Sequence, residues 1–429
     1  MISTSKLKVI AIMLFTFFAC NQNIESKEPT MQSKAQKTAK DILGNSEYLA
    51  ISYGGYRYVD HAIEPTMREL EDDMRLLHAM GIRILRTYKV HYPQAENILK
   101  VITKIREEDP DFEMYVMLGA WINCKNAFTD LEPDHNVESD ENAPQIAKAV
   151  ELAQTYPDIV KVLAIGNEAM VKWAASYYVQ PDVILKWVKH LQNLKDKGEL
   201  SKDLWITCSD NFASWGGGGP EYHVGALNEL IRAVDYVSMH TYPMHDTHYN
   251  PEFWGVLESE NDLSKLEIID AAMKRATLYA RSQYESVKKY IESIGVSKPI
   301  HIGETGWASY SNELFSPEGS RACDEYKQGL YHKYMREWTN ANNISCFFFE
   351  AFNEPWKDGG NPGGSENHFG LFTVDGKAKY PIWDLVDKGI FNGLSRDGNT
   401  IEKTYDGNLE LLLQDVNVPP TANEIMVNR

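Results

Sequence analysis

Positive charge is scarce in this chain. Its 43 lysines and arginines stand against 61 aspartates and glutamates, which gives a formal net charge of −18. A surface with this balance repels nucleic acid and anionic lipid headgroups, so we expect no nucleic-acid partner. The same surface does not repel a neutral partner such as a sugar, and aromatic residues make up 11% of the chain.

Cysteine is also scarce, with five in 429 residues. Apart from Cys20, they stand singly at Cys124, Cys208, Cys323 and Cys346. None belongs to a CxxC pair or to a His/Cys spacing typical of a metal site, so the sequence predicts no metal centre built on cysteine. We interpret these four as buried free thiols, with disulfides as the alternative outside the cytoplasm.

The apolar run near the N-terminus, residues 9–19, is too short to span a bilayer as a mature helix. It follows two lysines and has the form of a secretory signal. Its end, FFAC, resembles a bacterial lipoprotein processing site, which implies cleavage before Cys20 and lipidation of that sulfur. We expect a lipoprotein signal peptide over 1–20, a flexible tether over 21–45, and a lipid-anchored protein of the bacterial cell envelope, at the outer membrane or cell surface. An ordinary signal peptide with a chance cysteine is the alternative.

Short β-branched or apolar runs alternate with helical stretches over residues 46–394. Eight runs predict strands: 48–55, 81–88, 112–121, 160–168, 204–211, 234–242, 298–307 and 344–354. Between them, segments such as 66–80 place apolar residues at i, i+3, i+4 and i+7, which is typical of helices. This alternation predicts an α/β fold, a (β/α)8 TIM barrel, with residues 395–429 as a C-terminal extension of unknown role. A doubly wound open sheet is the alternative, but no glycine-rich phosphate turn follows the first strand.

Two carboxylates follow predicted strands, where a TIM barrel places its active site. Glu168 ends the fourth strand and Glu304 lies near the end of the seventh, so only the fold can bring them together. Two carboxyl groups about 5–5.5 Å apart suit retaining glycoside hydrolysis, in which one is an ionised nucleophile and the other a proton donor. Like charge and partial burial are expected to separate their pKa values. Either glutamate alone could simply lie favourably near a helix dipole.

Four segments, AIGNEAM, HIGETGWAS, FFFEAFNEPWK and ENHFGLF, resemble the signature segments of glycoside hydrolase family 17 and occur in that family's order. The resemblance covers most of residues 48–390. It implies a β-1,3-glucanase or related glucanosyltransferase on a (β/α)8 barrel of the retaining clan A. By this resemblance Glu168 is the acid/base, Glu304 is the nucleophile, and Asn167 bonds the sugar 2-hydroxyl. Retaining hydrolysis needs no metal, and we expect no cofactor.

Further residues are expected to bind substrate. The segment LRTY is similar to the family's Ile-Arg-x-Tyr and places Arg86 and Tyr88 near the reacting sugar, where Arg86 could hold Glu304 ionised. A structural ion pair is the alternative for Arg86. The other expected substrate-binding residues are Tyr53, Tyr242, Trp307, Glu354, Lys357 and Glu366. Of these, Glu354, Lys357 and Glu366 match charged residues after the family's final strand. For those three, a solvated charge cluster is the alternative.

One segment departs from the family pattern. Where the family often has Asn-x-Tyr-Pro, this chain has His240-Thr241-Tyr242-Pro243. The histidine could bond a sugar hydroxyl or Glu304, or it could be a satisfied histidine at the barrel rim. The departure bears on substrate preference and not on the reaction class.

Several tryptophans lie on or near predicted strand ends, and rigid rings of this kind stack on the apolar faces of sugars. Core packing is the alternative for any one of them, and Trp307 and Trp356 are the best placed as platforms. The set comprises Trp121, Trp173, Trp215, Trp254, Trp307 and Trp356.

The sequence thus predicts a secreted, monomeric, retaining glycoside hydrolase that cleaves internal β-1,3 bonds of laminarin-like polysaccharides or oligosaccharides. A β-1,3-glucanosyltransferase would use the same carboxylate pair, with a sugar instead of water attacking the intermediate. An alternative of another class is a non-catalytic, surface glycan-binding lipoprotein, although a pure binder has no need of both carboxylates.

Overall fold

The computed structural model describes residues 36–315 and 319–427, so the predicted signal peptide, Cys20 and most of the predicted tether lie outside the described residues. Within these residues the strands are β1 (Leu49–Ser52), β2 (Ile82–Arg86), β3 (Tyr115–Ala120), β4 (Cys124–Lys125), β5 (Asp134–Glu138), β6 (Val160–Asn167), β7 (Trp205–Asn211), β8 (Val237–His240), β9 (Ile300–Gly306), β10 (Cys346–Phe349), β11 (Ser395–Arg396) and β12 (Asn399–Thr400).

Eight of these strands close into a parallel barrel, in the order β1, β2, β3, β6, β7, β8, β9, β10 and back to β1. Each overlaps one of the eight predicted runs, and helices lie between them. The predicted (β/α)8 TIM barrel is therefore confirmed. The remaining strands form two antiparallel hairpins outside the barrel, β4–β5 and β11–β12.

The α-helices of the described residues are α1 (Ala39–Ile42), α2 (Met67–Ala79), α3 (Pro93–Glu108), α4 (Asn142–Thr155), α5 (Pro181–Asp196), α6 (Gly225–Ala233), α7 (Pro243–Tyr249), α8 (Lys265–Ser293), α9 (Glu325–Ala341), α10 (Trp383–Asp387), α11 (Leu409–Gln414) and α12 (Ala422–Val427). Thr66 begins α2 with a capping box, since its hydroxyl accepts from the Glu69 amide and the Glu69 carboxylate accepts from the Thr66 amide. The apolar side of α2 then packs against the barrel through Leu70, Met74 and Leu77.

The helix α1 closes the N-terminal end of the barrel. Its buried Ala39 and Ile42 pack with residues of the barrel interior such as Ala50 and Phe347. The amide of Gly44 donates to Ser345 Oγ over 2.8 Å, just before β10 begins. The predicted tether over 21–45 therefore extends too far, because residues from Ala39 onward cover the apolar interior that an open barrel end would expose to water.

The C-terminal extension packs on the barrel. Arg396 on β11 is fully buried, and its Nε lies 3.0 Å from Asp73 Oδ1 on α2. Farther along, the Val256 amide donates to the Pro420 carbonyl over 2.9 Å. The sequence left the path of this extension open, and the structure shows that it covers outer surfaces of the barrel.

Two further findings concern the described residues. The four cysteines Cys124, Cys208, Cys323 and Cys346 are buried free thiols, as predicted. In the ranges 36–315 and 319–427, no helix has the length and apolar character needed to cross a membrane.

Candidate active site

Glu168 and Glu304 meet at the C-terminal end of the barrel. Glu168 directly follows β6, and Glu304 lies two residues before the end of β9. The amide of Glu168 donates to the Ser209 carbonyl on β7, and the register of β8 and β9 pairs His240 with Glu304. The strands between them thus bring the two glutamates to one rim.

The backbone around each glutamate explains its neighbouring glycine. Glu168 has φ 46° and Gly166 has φ 84°, both in the left-handed region. A non-glycine residue in that region carries strain of about 1–3 kcal/mol, which is typical of functional sites. At Gly303 a Cβ atom would lie 2.0 Å from Ser238 Oγ and 2.5 Å from Ser209 Oγ, so only glycine fits before Glu304.

Glu304 is surrounded by donors. Arg86 Nη1 pairs with Glu304 Oε2, the Tyr88 hydroxyl donates to the same oxygen over 2.8 Å, and the Tyr242 hydroxyl donates to Oε1 over 2.6 Å. Burial opposes ionisation, but positive charge, at His240 in acid and at Arg86 throughout, and the two phenol hydroxyls outweigh it and lower the pKa of Glu304. Burial lowers the pKa of His240 to about 4. Near neutral pH the ring is therefore uncharged, and Arg86 with the two tyrosines keeps Glu304 ionised.

Glu168 lies in the opposite environment. Its Oε1 is 3.1 Å from His240 Nδ1, and no cation contacts it within the described part of the chain. Burial, followed by the negative charge of Glu304, raises the pKa of Glu168. One rim therefore holds an ionised and a protonated carboxyl group, the combination that lets one residue type supply both a nucleophile and a proton donor.

Asn167 and Arg86 complete this centre. Arg86 is almost fully buried, its Nη2 donates to Asn167 Oδ1 over 2.5 Å, and its Nη1 also donates to the Gly303 carbonyl over 2.9 Å. The guanidinium therefore connects the side chain expected to bind a sugar hydroxyl with Glu304.

The charged residues after β10 form a second group beside the first. The strand ends at Phe349, so Glu354 lies in the following loop and not at the strand end that the sequence predicts. Glu354 accepts from the Tyr56 amide over 3.1 Å and from Trp356 Nε1 over 3.0 Å. Lys357 lies 3.6 Å from Glu354, and its Nζ is 5.7 Å from the centre of the Tyr88 ring.

Lys357 also pairs with Glu350, over 3.3 Å, and although burial opposes its charge, these acidic neighbours raise the pKa of Lys357. Glu366 is more open. Its side chain is 48% exposed and lies 3.9 Å from His245 Nε2. Lys357 and Glu366 therefore bring a cation and a solvent-accessible carboxylate to the same rim.

Two predicted substrate-binding residues lie elsewhere. Tyr53 is buried, and its hydroxyl donates to Asp73 Oδ2 over 2.8 Å, because its side chain points out of the barrel toward α2. Trp307 is fully buried, donates to the Ala322 carbonyl over 2.9 Å and packs on Trp254 at 5.6 Å between ring centres. Neither presents a surface to a ligand, so both predictions are wrong.

A chain of rings borders the rim on the side of β10, β1, β2, β3 and β6. The ring centres of Trp356 and His61 are 3.9 Å apart, and those of His61 and Tyr92 are 5.0 Å apart. Lys89 Nζ lies 5.8 Å from the ring centre of Tyr92 and 4.3 Å from that of Trp121. The ring centres of Trp121 and Tyr177 are 5.3 Å apart. We define the aromatic border as Trp356, His61, Tyr92, Trp121, Tyr177 and Phe128, whose ring lies 5.2 Å from Tyr177.

The aromatic border contains two of the six candidate tryptophans, Trp356 and Trp121. Trp215 and Trp254 are fully buried, as is Trp307, which fits the core-packing alternative for all three. Trp173 is 64% exposed on the loop after Glu168. Sequence reasoning missed Tyr177, because nothing in a loop tyrosine distinguishes a platform from a surface residue.

Sequence reasoning also missed Ser209 and Asp210. Ser209 Oγ lies 2.8 Å from His240 Nε2. Asp210 is fully buried, accepts from the Met170 amide over 2.7 Å, and burial raises its pKa to about 7. Their only signal was polarity at the end of the fifth predicted strand. As for metals, no group of three or more His, Cys, Asp or Glu in residues 36–315 and 319–427 is arranged to hold an ion.

Comparisons with known proteins find relatives of this chain among glycoside hydrolases. Residues 50–370 match the family of BtgE/BtgC glycoside hydrolase domains. An endo-laminarinase from Formosa Hel1_33_131 is 65% identical, with a TM-score of 0.89 over 90% of this chain and 98% of that one.

Fungal relatives are more distant. A glucan 1,3-beta-glucosidase of Arthroderma benhamiae is 35% identical over 283 residues, 64% of this chain and 73% of the relative. The protein named "Probable glucan endo-1,3-beta-glucosidase btgC" of Aspergillus fumigatus is 23% identical over 302 residues, 68% of this chain. The chain spans only 36% of the length of that relative.

Proposed function

Because the chain belongs to the BtgE/BtgC glycoside hydrolase family, we propose that it hydrolyses internal β-1,3-glucosidic bonds of a laminarin-like β-glucan with retention of configuration. The observation that carries this proposal is the carboxylate pair at one barrel rim, with the pKa of Glu304 lowered and that of Glu168 raised. The 65% identity to an endo-laminarinase supports the substrate and the endo mode. The four signature segments support assignment to glycoside hydrolase family 17 of clan A.

The first half of the reaction forms a glycosyl-enzyme. The Glu304 carboxylate attacks the anomeric carbon, and the bond from that carbon to the glycosidic oxygen breaks. Glu168 gives its proton to the departing oxygen, so the leaving glucan ends in a hydroxyl group. Arg86, Tyr88 and Tyr242 hold the attacking carboxylate in place and keep it ionised before the attack.

The second half releases the other product. Ionised Glu168 takes a proton from water, the water oxygen attacks the anomeric carbon, and the ester bond to Glu304 breaks. Two inversions give net retention, and both carboxyl groups return to their starting protonation states. Asn167, fixed by Arg86, is placed to bond the 2-hydroxyl of the same sugar.

The aromatic border supports binding within a long chain. It runs from the loop after β10 to the loop after β6, and its rings are half-buried or exposed, so we infer that they stack on several successive sugars. Burial and the charge of Glu168 raise the pKa of Tyr177, which reflects how close this end of the border lies to the acid/base. Binding several successive sugars on either side of the cleaved bond suits attack within the chain, that is, endo action.

The test compares Glu168→Gln and Glu304→Gln with Glu285→Gln, an exposed glutamate on α8. We expect reducing-end release from laminarin to fall by about 10²–10⁴-fold in the first two variants and to stay unchanged in the third. Early products of the wild type should span many sizes, and proton NMR should detect the β-anomer first. Full activity in either of the first two variants, or α-anomer first, would contradict the proposal.

We also propose that the protein is lipid-anchored in the bacterial envelope through Cys20 and acts there as a monomer. The support is the FFAC segment after an apolar run. Labelled palmitate should enter the full-length chain and be lost in Cys20→Ala, and labelling that persists in this variant would exclude the anchor. Light scattering of residues 21–429 tests the oligomeric state, and a mass of two or more chains would contradict the monomer.

A further inference from the structure

His240 is held at both ring nitrogens. It ends β8 and is fully buried. Nδ1 lies 3.1 Å from Glu168 Oε1, and Nε2 lies 2.8 Å from Ser209 Oγ. Ser209 Oγ in turn lies 2.9 Å from Ser238 Oγ. The ring orientation is therefore fixed by a carboxyl group on one side and by a hydroxyl chain on the other.

The position of the single N–H of a neutral imidazole decides what Glu168 can do. Without a hydrogen, Nδ1 would repel the ionised carboxylate and would hold the acidic proton of protonated Glu168 on Oε1. With a hydrogen, Nδ1 donates to Oε1 whether Glu168 is protonated or ionised. A hydroxyl can donate as well as accept, so Ser209 can satisfy Nε2 in this second tautomer.

We propose that His240 is a positioning residue that donates from Nδ1 to Glu168 Oε1 and so confines the acidic proton to Oε2, the oxygen that faces the bond to be cleaved. Ser209 fixes this tautomer by donating to Nε2. The inference rests on the proposed function, because it assigns a task to Glu168 as acid/base. The proton leaves Oε2 for the glycosidic oxygen and returns there from water, and His240 neither gains nor loses one.

The environment of Glu168 Oε2 supports this assignment, and the low basicity of the buried ring is consistent with it. Within the described residues no hydrogen bond reaches Glu168 Oε2, whereas Oε1 is occupied by the ring. Burial also lowers the pKa of His240 to about 4, so the ring stays neutral while Glu168 works. The charged and titratable groups that face His240 and Glu168 from neighbouring elements are Asp210 on β7, Glu304 on β9, Arg86 on β2, and Glu366 and Tyr177 on loops.

Because so many charged groups lie near Glu168, a pH profile alone cannot show whether proton donation by Glu168 has been impaired. Substrates whose leaving groups differ in their need for a proton can show it. A dinitrophenolate needs no proton to depart, whereas a sugar alkoxide does. The experiment measures kcat/KM on laminarihexaose and on 2,4-dinitrophenyl β-laminaribioside, since kcat/KM reports the glycosylation step for each substrate. In His240→Leu we expect a loss of about 10²-fold on the hexaose and less than about threefold on the aryl substrate.

Two conservative variants separate hydrogen bonding from packing. The amide nitrogen of asparagine can take the place of Nδ1, and that of glutamine the place of Nε2. His240→Asn should therefore recover about tenfold of the lost activity on the hexaose, whereas His240→Gln should not. Ser209→Ala should also lose more activity on laminarihexaose than on the aryl substrate, but by a smaller factor than His240→Leu. His190→Asn, exposed on α5, is the control and should match the wild type.

The outcomes distinguish the two proposals. If the wild type fails to hydrolyse laminarihexaose, the proposed function falls. If the wild type and Glu168→Gln behave as expected but His240→Leu loses both substrates equally, or Asn and Gln rescue equally, the inference about His240 is overturned. Should His240→Leu fail to fold, the Asn and Gln pair still decides.

Discussion

Arg86 donates a hydrogen bond to Asn167 Oδ1 over 2.5 Å, although the two residues end strands on opposite sides of β3. The other terminal nitrogen of the same guanidinium pairs with Glu304 Oε2. The planar, rigid guanidinium thus fixes Glu304, the proposed nucleophile, relative to the side chain expected to bind the sugar 2-hydroxyl, which a flexible ammonium cannot do.

Replacing Arg86 by Met is expected to raise the pKa of Glu304 and move the acid limb of kcat/KM on laminarin to higher pH, because a nearby cation no longer favours the carboxylate. Arg86→Lys keeps the charge but lacks the two coplanar nitrogens that hold Glu304 and Asn167 in a fixed geometry, so its acid limb should stay near that of the wild type while kcat/KM falls. A pH series for both variants is the measurement. An unmoved acid limb in Arg86→Met would contradict this role.

The wild type should show a bell-shaped pH dependence. In the proposed mechanism activity needs Glu304 ionised and Glu168 protonated, and their pKa values lie below and above the ordinary value of 4.5, respectively. Activity therefore rises as pH passes up through the lowered pKa and falls as it passes through the raised one. The profile of kcat/KM on laminarin checks this, and a profile whose alkaline limb begins below pH 4.5 would be inconsistent with it.

The hydroxyls of Tyr88 and Tyr242 should matter for catalysis and that of Tyr53 for stability. Tyr88→Phe and Tyr242→Phe each remove a bond to charged Glu304 worth about 1.5–3 kcal/mol, so kcat/KM should fall roughly 10–100-fold. Tyr53→Phe is the matched control, because its hydroxyl bonds Asp73 on the outer side. It should keep full activity and lose about 1–3 kcal/mol in urea unfolding. Equal activity losses in all three would refute the distinction.

Trp121→Ala should affect long substrates more than short ones. Loss of one stacking ring costs about 1 kcal/mol, so kcat/KM on laminarihexaose should fall roughly fivefold while that on laminaritriose changes little. Trp338→Ala, in a half-buried position on α9, is the control and should leave both substrates unaffected. A loss that does not depend on chain length would exclude a distal subsite at Trp121.

Asp73→Ala should destabilise the attachment of the C-terminal extension. It removes the carboxylate that pairs with the buried Arg396 and Arg57 guanidiniums, which costs about 3–5 kcal/mol or more in the free energy of unfolding. Asp384→Ala breaks a pair whose side chains are 60% and 62% exposed, and it should cost less than about 1 kcal/mol. Urea unfolding of the two variants makes the comparison, and equal losses would rule out a buried-pair effect.

Local patterns were enough to predict the eight strands and the placement of Glu168 and Glu304. Strand periodicity and the glycines beside the glutamates are short-range features, and Gly303 is required by the serine hydroxyls packed against it. The directions of Tyr53 and Trp307 were not predictable in this way. Each follows a strand by one residue, so its side chain points inward, outward or to the rim according to the loop backbone.

By itself the sequence determined the barrel and its two carboxylates. The alternation of strand-like and helix-like apolar patterns shows which surfaces must be buried away from water, and the polar residues after the strands mark the open rim. Only the tertiary structure decided what surrounds them. The partners of His240 depend on the register of β8 with its neighbours, and the helix α1 was needed to cover an interior that forms only when the barrel closes. Contacts between strands distant in the chain set the pKa values of the pair, and those contacts have no local signature.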